Sequence, residues 1–174
     1  MPRSLKHSQS GTTLVETAVA VMLIAGFFAS IFEMNTVCLH YINASKESVA
    51  ALQGVQDRLE TLRNLLFSDL TNPTYLQTLM ATPSNQSEFA TTQPTETVTV
   101  TRYSSSSQNT SGQGIQIQRP PGASVTATIV NSGTSNISQA DLVQVDVQYT
   151  WNTTLGQHDR TEHTATIVAA GTKK

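Results

Sequence analysis

Glu16 is the residue whose setting most suggests a task. It is the one charged side chain between Thr12 and Phe32, a run of 21 residues that is otherwise almost wholly apolar. As a helix at ~1.5 Å per residue this run spans about 31 Å, the thickness of a bilayer core. A carboxylate at the centre of such a helix costs about 2.5–3.5 kcal/mol and less near an end, so an intramembrane charge is a functional hypothesis by default. Its natural chemistry is to pair with a cation. Other reactive sets are thin. His158 and His163 are five residues apart, which on a strand sends the imidazoles to opposite faces and argues against a metal site. Asp141, Asp146 and Asp159 could meet near a sheet, but the oxygen-ligand spacing of a calcium loop is missing. Cys38 is the single cysteine, so no intrachain disulfide is possible, and it is expected as a small buried packing residue. There is no glycine-rich phosphate loop, no spaced Ser/His/acid set and no carboxylate pair in an apolar setting. Neither an enzyme nor a cofactor is expected.

The residues around Glu16 carry a family resemblance. Arg3, Lys6 and His7 precede it with no acidic residue before it, and Gly11-Thr12-Thr13-Leu14-Val15-Glu16 leads into the apolar run. A short basic leader ending in Gly11, with Glu as the fifth residue after it, resembles a type IV prepilin. That superfamily includes minor pilins and type II secretion pseudopilins. The match covers residues 4–32. It implies cleavage between Gly11 and Thr12 by a prepilin peptidase, N-methylation of Thr12, and assembly through Glu16. The implied partners are other pilin or pseudopilin subunits, an inner-membrane assembly platform and the lipid bilayer. The implied location is the bacterial inner membrane, single-pass with the head in the periplasm, and then a periplasmic or extracellular filament. The chain departs from the family pattern in having Thr12 where Phe or Met is usual, and in lacking a proline in the helix. A secretory signal peptide cut near Ala25-Gly26 or Ala29-Ser30 and a plain single-pass anchor are the alternatives.

The elements that must position Glu16 follow from periodicity. Beyond Phe32 the pattern becomes amphipathic, with Met34, Val37, Cys38, Tyr41, Val49, Leu52, Val55, Leu59, Leu62 and Leu66 forming one stripe. Lys46, Glu47, Asp57, Arg58, Glu60 and Arg63 fall on the other face. No proline interrupts residues 12–71, so both halves can form one rod of about 55 residues, roughly 80 Å long, softest at Gly26 and Gly54. Asn72-Pro73 ends it. A short helical turn is expected over 75–80 and a polar connector over 82–94.

From there the period is two. Strands are expected around Val98 and Val100, around Ile115 and Ile117, through Val125, Ala127 and Ile129, over 142–151, and over 157–168 after a turn at 153–157. Polar loops are expected over 104–114 and 131–139. The expected fold is α+β, a long N-terminal helix packed on a C-terminal antiparallel β-sheet in a meander, which is also the pilin architecture. The implied segments are a leader (1–11), an assembly half of the helix (12–33), an amphipathic half (34–71) and a β-rich head (72–174).

Composition sets further bounds. The 174 residues hold 10 basic and 12 acidic side chains, a net charge of −2, which does not favour a nucleic-acid partner. Charged residues make up only 13%, about half the usual share, and a Ser/Thr-rich surface takes their place. The function expected is a structural filament subunit, a minor pilin or pseudopilin. The alternatives are a binding or adhesion module carried on a filament, with loops 104–114 and 131–139 as contacts, and a membrane-tethered envelope domain that does not polymerise.

Overall fold

A computed structural model of the chain describes residues 13–103, 114–122, 128–132, 137–153 and 159–171. The fold is α+β: a 50-residue helix α1 (Leu14–Arg63), three short helices, and a five-stranded antiparallel sheet. Contacts divide the chain into two units, one reaching Tyr41 and the other beginning at Ile42. In the first, every described residue from 13 to 41 is exposed.

The second unit is built on the remainder of α1, and its buried face differs from the expected stripe. Val55, Leu59 and Leu62 are core, but Val49, Leu52 and Leu66 are 57%, 44% and 46% exposed. The buried seam is instead Ala44, Glu47, Ala51, Gly54, Val55, Arg58, Leu59 and Leu62. Close approach selects this face. The sheet presents a row of valines ending in Tyr149 and Trp151, and small helix residues let those bulky side chains reach the helix backbone. At Gly54 the contact is limiting, because a Cβ there would lie 2.6 Å from Cε2 of Tyr149. By helix propensity alone, Gly54→Ala would stabilise by ~1 kcal/mol. We expect the opposite sign, a loss of about 1–3 kcal/mol from overpacking, read as a lower urea midpoint.

α1 stops at Arg63, short of the expected 71. The Asn64 N–H bonds the carbonyls of Glu60 and Thr61, and the Leu65 N–H bonds that of Leu62, so the last turn tightens. Leu66 is then extended (φ −66°, ψ 148°) and the chain restarts as α2 (Phe67–Leu70). Leu70 is fully buried as a result. Neither glycine nor proline marks this break, so packing of Leu70 decides it. Asn72 caps α3 (Pro73–Met80), accepting from the N–H groups of Thr74 and Tyr75, with Pro73 at the position where a missing N–H costs nothing. The expected polar connector contains α4 (Glu88–Thr92), capped by Ser87, whose hydroxyl donates to Asn85 Oδ1. α4 places Phe89 edge-on to Trp151 at a 5.4 Å centroid distance.

The strands are β1 (Thr95–Arg102), β2 (Gly114–Arg119), β3 (Thr128–Ser132), β4 (Leu142–Asn152) and β5 (Asp159–Ala169). Their order, β3-β2-β1-β4-β5, corrects the meander, since the chain leaves β3 at one edge and returns on the far side of β1. Ile137 and Ala140, on that return, are buried in the core. This order puts β1 and β4 side by side, so that Glu96 of β1 and Tyr149 of β4 both meet α1. Of the third expected strand the described part is Thr128–Ser132; Val125 and Ala127 lie outside the described residues, as do residues 104–113, 133–136 and 154–158 of the expected loops and turn. One sheet face is core. The other carries half-buried Thr97, Thr99, Gln116, Gln118, Gln144, Asp146 and Gln148.

Candidate functional site

Glu16 sits in the first turn of α1 and is exposed. Thr13 precedes the helix, and its Oγ1 accepts a hydrogen bond from the Glu16 N–H at 3.3 Å. Thr13-Leu14-Val15-Glu16 thus has the Thr-x-x-Glu spacing of a capping box, with a carboxylate where the helix dipole favours one. That signal was legible in the sequence beside the family pattern. Gly11 and Thr12, the expected cleavage and methylation positions, lie outside the described residues.

Behind Glu16 the helix is apolar on all sides. Leu14, Met22, Leu23, Phe27 and Phe32 are each at least 65% exposed. Its few hydroxyls bond back into the helix, Ser30 to the Gly26 carbonyl at 2.8 Å and Thr36 to that of Phe32 at 3.0 Å. Polar groups satisfied within their own segment are what a lipid setting demands. Among the described residues, this helix is long and apolar enough to cross a membrane. Cys38, expected to be buried, is exposed, because burial on α1 begins only at Ala44.

A second constellation lies inside the second unit and escaped the sequence reading. Arg58, placed by periodicity on the wet face of α1, is only 2% exposed. Its Nε donates to Glu96 Oε1 at 2.5 Å and an Nη to Oε2 at 3.2 Å. The same guanidinium donates to the Thr82 carbonyl at 2.6 Å, just past the end of α3. Arg119, fully buried on β2 opposite Glu96 of β1, donates to the carbonyls of Ala90 at 3.2 Å and Gly122 at 2.7 Å. The two arginines therefore satisfy carbonyls left open near the ends of α3 and α4. Tyr149 completes the cluster by a hydrogen bond to Ser84 Oγ. Burial, and then the negative charge of Glu96, raise the Tyr149 hydroxyl well above its ordinary pKa, so it stays protonated. A sequence signal for this cluster exists. Glu96 shares the parity of Val98 and Val100, and Arg119 that of Ile115 and Ile117, which puts both charges on the core side of their strands.

The remaining candidates do not assemble. His163 lies on β5 and His158 outside the described residues. Asp159 pairs across from Asn152, six residues along β4 from Asp146, a separation of about 20 Å. Burial raises the Asp146 carboxyl above its ordinary pKa, with the charge of His163 acting the other way. Among the described residues no three His, Cys, Asp or Glu side chains are grouped to hold a metal ion. In comparison with known proteins, the chain matches no family model, no curated protein and no solved structure.

Proposed function

We propose that this chain is a membrane-inserted structural subunit of a type IV pilin-like filament, a minor pilin or pseudopilin. One observation supports it above the others: α1 runs without a buried residue from Leu14 to Asn43 and carries a carboxylate in its first turn. A helix greasy on every side needs lipid or other helices around it. In this reading a prepilin peptidase cuts after Gly11 and methylates the new amine of Thr12. The Thr12 ammonium of one subunit and the Glu16 carboxylate of its neighbour then pair in a low-dielectric layer. The pair relieves the cost of a bare carboxylate and sets the axial register of adjacent helices. Ala18, Ala20, Ala25, Gly26 and Ala29 allow those helices to approach closely. The head is carried outward by the filament.

A second reading is favoured by the Thr13 cap. If Glu16 serves only to start the helix, the chain is a tethered envelope domain that does not polymerise. The N-terminal mass of protein recovered from membranes, with and without a prepilin peptidase, tests the proposal. A terminus at Thr12, about one methyl group heavier than the bare chain, is the expected result. An uncut chain, or one cut near Ala29, would overturn it.

A further inference from the structure

We draw no further inference here: the strongest candidate, the outer edge of β5 (Asp159–Ala169), with which no strand among the described residues pairs, carries none because nothing in the structure shows what covers it.

Discussion

Arg58→Met is expected to cost the head about 3–5 kcal/mol, a large part of the 5–15 kcal/mol that holds a typical domain together. The substitution keeps the volume and apolar stem of the side chain but leaves Glu96, fully buried, without its cation. It also strips the Thr82 carbonyl of its donor, loosening the end of α3. Glu96→Gln should be destabilising too, since the buried Arg58 would then lose its anion. The double variant should lose clearly less than the sum of the two, because each single change already breaks the same pair. The sole tryptophan, Trp151, is 2% exposed against Phe89 and reports unfolding of this unit. Urea titration of the full chain in detergent micelles, followed by its fluorescence, is the measurement. Strict additivity of the two single changes would show that the pair is not what holds the cluster.

Glu16→Ala should all but remove the protein from sheared filaments, at least a tenfold loss, while the Trp151 signal of the head stays unchanged. The size of the effect separates the two readings of this residue. As part of a cap, Glu16 contributes about 0.3–1 kcal/mol to the first turn, and Thr13→Ala would remove about 0.5–2 kcal/mol from the same turn. If helix initiation is the whole role, Thr13→Ala should be at least as damaging as Glu16→Ala. If a charge pair between subunits is the role, Thr13→Ala should assemble and Glu16→Ala should not. Normal incorporation of Glu16→Ala would sink the filament mechanism.

The apolar run and the alternation of β1, β2 and β4 could be read from residues because each depends on local chemistry. Hydropathy along α1 is local as well, but it misjudged the packed face. A helix against a sheet is placed by how near it can come, and Gly54, Ala51 and Ala44 set that distance where Val49 and Leu52 do not. Arg58 was assigned to solvent for the same reason. A buried guanidinium is tolerable only if an anion and carbonyls meet it, and its partners, Glu96 and Thr82, lie 38 and 24 residues away. The break after Arg63 and the helix at Glu88–Thr92 follow Leu70 and Phe89 into the core, a destination that no nearby residue announces.

By itself the sequence determined the class of the fold, the helix that suits a membrane and the one carboxylate at its start, since length, apolarity and charge are properties of a segment. Only the tertiary structure decided the strand order, the seam of α1 and the charged cluster beneath it. Those depend on which distant side chains share a volume. A buried charge or a close backbone approach is stable only when the matching group arrives from elsewhere in the chain.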